Sequence, residues 1–257
     1  MAAAAISRRA FDEYHDEVVA ALREIGDPRF GAAVAKDRGS SLEHLGIRFP
    51  ALRKRVKQGF SFSELSELSE GEVLVIWDHL WRTSRYGDVL FAALEHYAPL
   101  VRKRVSPALW PVVRHWHQRV DNWCHCDGLS SLYSWILASE PAEVYPQLEA
   151  WNQSTDQWLR RISIVSLIHY SGKNAVFMSP DRVFPLVTTC VADERENVQK
   201  AVGWLLRELG HAYPSEVRAY LEGHIATISA VAFRRAIARR SPSERAELRA
   251  LREEALA

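Results

Sequence analysis

Two stretches, LEAWNQSTDQWLRRISIVSLIHY (148–170) and VTTCVADERENVQKAVGWLLREL (187–209), decide the reading of the fold, because they align at an offset of 39 residues. In both, a helix ends, a polar acidic turn follows, and a new helix opens with a basic residue in its first turns. Leu159-Arg160-Arg161 falls opposite Val198-Gln199-Lys200, and Val165 opposite Trp204. An earlier pair of helical segments, 70–83 and 86–98, has a similar layout with drifting spacing.

A period near 40 with two helices per unit is the signature of HEAT and armadillo arrays, in which each unit buries its apolar face against the next. The rest of the chain agrees. Phe11, Tyr14, Val18, Val19, Leu22 and Ile25 recur at three- and four-residue steps, so 8–25 reads as an amphipathic helix. Gly26, Asp27 and Pro28 stop it. Pro50 opens one helix and Pro107 another that runs through Trp110, Val113 and Trp116. Further helices are expected at 128–139, 141–151, 155–171, 181–192, 195–211, 214–223, 226–239 and 242–255, with Gly172 and Gly210 at helix ends. No stretch alternates with period two, so no sheet is expected. The expected fold is all-α: a superhelix of HEAT-like antiparallel helix pairs forming one domain over 1–257, with a core at about 8–240 and a concave groove. Equivalent positions of successive units line such a groove, and Arg161 and Lys200 are equivalent.

Composition narrows the function classes. Apolar residues make up 47% and charged residues 25%, the balance of a folded globular chain. The formal net charge of +1 names no partner, but its distribution is uneven. Residues 158–240 hold twelve Lys and Arg against seven Asp and Glu, a basic stretch suited to a polyanion. Three cysteines are too few for a disulfide framework and fit a reducing compartment. The opening MAAAAISRRAFDEYHDE lacks an apolar run of signal-peptide length, and no apolar stretch is long enough to span a bilayer. A cytoplasmic monomer without membrane contact is expected. Cys124-His125-Cys126 offers thiolate and imidazole, the ligands zinc prefers. No second Cys/His pair lies at finger spacing, and consecutive helical positions point apart, so no metal is expected. Most of the nine tryptophans are core: Trp77, Trp81, Trp110, Trp116 and Trp135 sit at helical spacing with other apolar residues, and Trp158 is expected to pack.

Four passages resemble the AlkD-like DNA glycosylases, the HEAT-like DNA alkylation repair family. They are LGIRFPALR (45–53), NWCHCD (122–127), QWLRR (157–161) and VQKAVGWLLRE (198–208). The last follows the family's Gln-Lys-Ala-Ile/Val-Gly-Trp-x-Leu-Arg-Glu almost letter for letter. The resemblance implies hydrolysis of the N-glycosidic bond of cationic alkylpurines in duplex DNA, of the 3-methyladenine and 7-methylguanine type, with no cofactor. It implies Asp127 as the catalytic carboxylate, and Trp123 and Trp204 as aromatic walls against the deoxyribose and backbone. It also implies Arg161 as a phosphate-holding residue, with Lys200 and Arg207 as further phosphate contacts. Before Asp127 the family often carries a second Trp and an extra Asp; Asn122 and Cys124 stand there in this chain. The alternative reading is a non-catalytic HEAT-like protein that binds bent or branched DNA. Asp127 separates the two, because a pure binder has no use for a carboxylate facing phosphates. A protein-binding scaffold would have no basic concave face.

Overall fold

A computed structural model of the chain describes residues 6–63, 67–171 and 174–257. Residues 1–5 of the N-terminal stretch, and Gly172 as a helix end, lie outside the described residues. The all-α class holds: fourteen α-helices are present among the described residues. The expected absence of any sheet does not hold, because β1 (His169–Ser171) and β2 (Asn174–Val176) pair as a short antiparallel hairpin. The chain divides into two compact units, residues 1–132 and 133–257.

The first unit contains α1 (Arg8–Arg23), α2 (Pro28–Arg38), α3 (Phe49–Lys57), α4 (Glu70–Thr83), α5 (Gly87–Lys103), α6 (Leu109–Val113), a 3-10 turn (Trp116–Arg119) and the start of α7 (Trp123–Ser139). Its helices begin where the chain supplies caps. Ser7 accepts from the Ala10 N–H, and Ser69 with Glu72 closes a capping box. Asp27 and Pro28 end the spacer after α1 by opening α2, a helix whose own apolar face is too small to announce itself. Tryptophans fill the core. Trp81 and Trp116 stack at 4.4 Å. The Trp81 indole donates to the Trp116 carbonyl at 2.8 Å, and Trp116 donates to Asp78 at 2.9 Å. Trp77 and Trp110 are buried as well. The helix expected from Pro107 through Trp116 is broken into α6 and the 3-10 turn.

The second unit contains the rest of α7, then α8 (Pro141–Asn152), α9 (Gln157–Val165), the hairpin, α10 (Pro180–Val191), α11 (Glu196–Ala212), α12 (Pro214–Gly223), α13 (Ala230–Ala236) and α14 (Pro242–Leu256). The helix expected over 155–171 ends at Val165, and the one expected over 226–239 spans only α13. Trp135 is half-buried edge-on against the His169 ring at 4.2 Å.

The repeat is visible in the hydrogen bonds. In the first unit, Arg119 donates to the Trp81 carbonyl across 38 residues, and His125 bonds to the Gly87 carbonyl across 38. In the second, Tyr145 donates to the Arg182 carbonyl across 37 residues, and Asn197 donates to Gln157 across 40. Side chains that reach one period along the chain are what stacked helical units produce.

Candidate nucleic-acid interface

The NWCHCD passage forms the entry to α7, and its helix starts at Trp123, five residues before the position expected. Asn122 is the reason. Its side-chain oxygen accepts from the Cys124 and His125 backbone N–H groups at 3.0 and 3.1 Å, a helix cap built into the motif. Its amide donates to the Asp121 carboxylate and to His125 Nδ1, both at 2.7 Å. His125 Nε2 then donates to the Gly87 carbonyl at 3.0 Å. Both ring nitrogens are thus engaged, and burial lowers the imidazole pKa to about 3, so it stays neutral. Asp121 receives Ser41 N and Oγ at 2.5 and 2.7 Å. Burial opposes its ionisation, but hydrogen bonds from Ser41, Asn122 and Ser40 outweigh it and hold the pKa below the usual value. Burial raises the Cys124 thiol to about 11, keeping it protonated; Arg38 works against that rise and Asp127 with it.

The buried run Cys124, His125 and Cys126 fixes this turn in the core. Trp123 and Asp127, one helical turn apart, lie on the other side. Trp123 is 42% exposed and Asp127 half-buried.

The VQKAVGWLLRE passage is the first three turns of α11, and it splits into two faces. Val198, Ala201, Val202, Leu205, Leu206 and Leu209 are buried. Gln199 is also buried, and donates to the Cys190 and Asp193 carbonyls at 2.8 and 2.6 Å, satisfying the end of α10. Gly203 lets α13 approach: a Cβ there would stand 2.5 Å from the Ala232 carbonyl oxygen. Lys200, Trp204 and Arg207, at i, i+4 and i+7, form the half-open stripe that remains. Lys200 pairs with Glu196 at 2.9 Å.

Around Trp204 the second unit gathers residues that the motif does not contain. The Trp204 indole lies close enough to the Tyr170 hydroxyl to favour its ionised form, and Glu208, Arg207 and Arg239 lie within electrostatic reach of that hydroxyl. Burial is the main force raising the Tyr170 pKa, although the ring is 43% exposed. Arg207 donates to the buried Glu208 carboxylate at 3.0 and 2.7 Å. Arg239 meets both oxygens of the same carboxylate at 3.4 Å. Sequence reasoning missed Tyr170, Glu208 and Arg239. Glu208 stands inside the quoted motif, and its place beside Arg207 was the available signal.

Arg161 differs from the other expected cations. It is 5% exposed, and its Nη1 donates to the Asn197 carbonyl in the first turn of α11 at 2.5 Å. The structure therefore ties Arg161 to the helix that carries Lys200, Trp204 and Arg207.

The family profile described as "DNA alkylation repair enzyme" matches residues 18–239. No curated protein matches the chain. Solved structures similar in fold include these two. A "Predicted DNA alkylation repair enzyme from Enterococcus faecalis" has a TM-score of 0.70 at 16% identity, covering 84% of this chain and 97% of that one. AlkD2 from Streptococcus mutans has a TM-score of 0.50 at 16% identity, covering 88% and 97%.

Proposed function

The chain belongs to the DNA alkylation repair enzyme family, and from that premise we propose that it binds duplex DNA and hydrolyses the N-glycosidic bond of cationic alkylated purines. One observation carries the reading. In α11 the motif's apolar side chains are committed to packing and Gln199 to the end of α10, while Lys200, Trp204 and Arg207 share the half-open stripe. Two cations flanking an indole suit a sugar–phosphate backbone.

Alkylation at N3 or N7 makes the purine a cation, and so a good leaving group. When the C1′–N bond breaks, its electron pair goes to the base and cancels that charge. Positive charge develops on the sugar, and water adds at C1′ and gives up a proton. Asp127 is assigned the stabilisation of that charge and the orientation of the water. The Trp123 and Trp204 faces carry negative quadrupole potential, which favours a sugar becoming cationic over the neutral ground state. Arg161 is assigned to phosphate near the lesion through its guanidinium, and to the placement of α11 through Asn197. No residue is assigned the protonation of a poor leaving group, so neutral lesions such as uracil should remain.

The test is single-turnover release of 7-methylguanine from duplex DNA. Asp127→Asn should keep or slightly tighten DNA affinity, because a carboxylate repels the ground-state duplex, and should slow excision by two to three orders of magnitude, about 3–4 kcal/mol. Trp204→Ala should weaken both binding and rate. An Asn variant as fast as the parent would remove Asp127 from the chemistry. A parent that binds DNA but releases no base from any cationic lesion would make the chain a non-catalytic binder.

A further inference from the structure

We propose that Arg239, which follows α13, is a second phosphate-gripping guanidinium on the DNA face of α11, paired with Arg207 across the carboxylate of Glu208. The inference rests on the reading of this chain as a duplex-DNA binder, though not on its chemistry.

Glu208 is the starting point. Its side chain is only 7% exposed, a costly place for a charge unless the charge is paired. Arg207 already supplies that pairing, with two donors on Oε1 at 3.0 and 2.7 Å. Arg239 adds a second cation from a different element. It uses Nη1 alone, at 3.4 Å to each oxygen, and its side chain stays 56% exposed. A guanidinium has five N–H donors in a planar fork. Arg239 thus keeps most of its fork outward while one edge is held. A half-exposed pair at this distance contributes little to stability, so stability does not account for the arrangement.

The cluster carries two positive charges against one negative, and so remains net positive beside Trp204 and Tyr170. A carboxylate on an anion-binding face would otherwise weaken binding. Here it sets the direction of two guanidiniums in advance, which lowers the ordering cost when phosphate arrives. Gly203 makes the pairing possible. The missing side chain lets Ala232 and Arg235 pack directly on α11, which brings the chain leaving α13 alongside Glu208. The ridge continues toward the start of α11, where the charge of Arg235 reaches Glu196, the partner of Lys200.

The experiment measures affinity of the full chain for undamaged duplex DNA as a function of salt concentration. Arg239→Ala should lower the log–log salt slope by about one unit and weaken binding about eightfold at about 0.1 M salt, the share of one phosphate contact. Its exposed position should leave the thermal midpoint within about a degree or two of the parent. Glu208→Gln decides the role of the carboxylate, because it keeps the side-chain shape and removes the charge. If Glu208 positions the two arginines, this variant binds more weakly with a lower slope. Tighter binding by Glu208→Gln, or an unchanged slope and affinity for Arg239→Ala, overturns the proposal. The catalytic reading fails separately: a parent that releases no methylated base while both salt slopes behave as stated loses its chemistry and keeps the clamp.

Discussion

Asn122 shows how much a single side chain can settle. It stands where the family often carries tryptophan, and in sequence it looks like a departure. In the structure its oxygen caps α7 and its amide fixes both Asp121 and the buried His125. That cap places Trp123 and Asp127 on one helix, one turn apart, where the sequence reading began the helix only after Asp127. Asn122→Ala removes the cap, about 1 kcal/mol, and leaves His125 Nδ1 buried without its donor, about 1–3 kcal/mol more. The expected loss is about 3 kcal/mol in urea unfolding. Asn122→Ser restores a capping oxygen and should recover about 1 kcal/mol of it. An unchanged urea midpoint for the Ala variant would show that α7 does not depend on this cap.

At the scale of elements, legibility followed periodicity. Helices with an apolar stripe and a polar back, such as α1, α4, α11 and α14, stand close to where spacing put them. The failures have physical causes. In α7 the run Cys124-His125-Cys126 is buried, so the first turn shows no polar back. After α9, Leu167 and Ile168 are buried and continue the apolar pattern past the real helix end, so the hairpin reads as helix. The site divides likewise. Lys200, Trp204 and Arg207 stand out in the sequence only through the family motif that one helix carries, since helical spacing alone reads Trp204 as core, whereas Tyr170 and Arg239 come from other elements and no local spacing announces them. Gly203 tests the packing that joins these elements. Helix propensity alone predicts that Gly203→Ala stabilises α11 by about 1 kcal/mol. Contact with the Ala232 carbonyl and the Arg235 Cβ at 2.5–2.6 Å predicts the opposite. Overpacking against backbone should win, for a net loss of about 1–2 kcal/mol by chemical unfolding. A neutral or stabilised variant would mean that α13 can move aside.

At the scale of the whole molecule, the buried histidines set the response to acid. His125 lies fully buried, and burial lowers its pKa to about 3. His96 packs against Trp77 at 5.4 Å and against Tyr97, and burial lowers its pKa to about 4. His15, His44 and His169 are shifted the same way, each mainly by burial. An unfolded histidine titrates near 6.5, so above that pH the imidazoles are neutral in both states and contribute no pH dependence. Below it the unfolded chain takes up protons that the folded chain refuses. Stability should therefore be full above pH 6.5 and fall as pH drops toward 4, at about 1.4 kcal/mol per pH unit for each fully depressed histidine. His125 and His96 together should give a slope approaching about 3 kcal/mol per unit near pH 5. Asp193 acts lower on the scale. Burial works against its ionisation, but Arg195 and Arg160 hold its pKa below 3.8, so its contribution is lost only under stronger acid. Urea unfolding at a series of pH values separates these effects. His96→Gln should flatten the slope between pH 6.5 and 4 by up to about 1.4 kcal/mol per unit and leave the region above pH 7 with the same pH-independence as the parent. A parent whose unfolding free energy is level from pH 6.5 down to 5 would mean that these imidazoles accept protons in the folded state, and that the cores around Trp77 and Gly87 admit water.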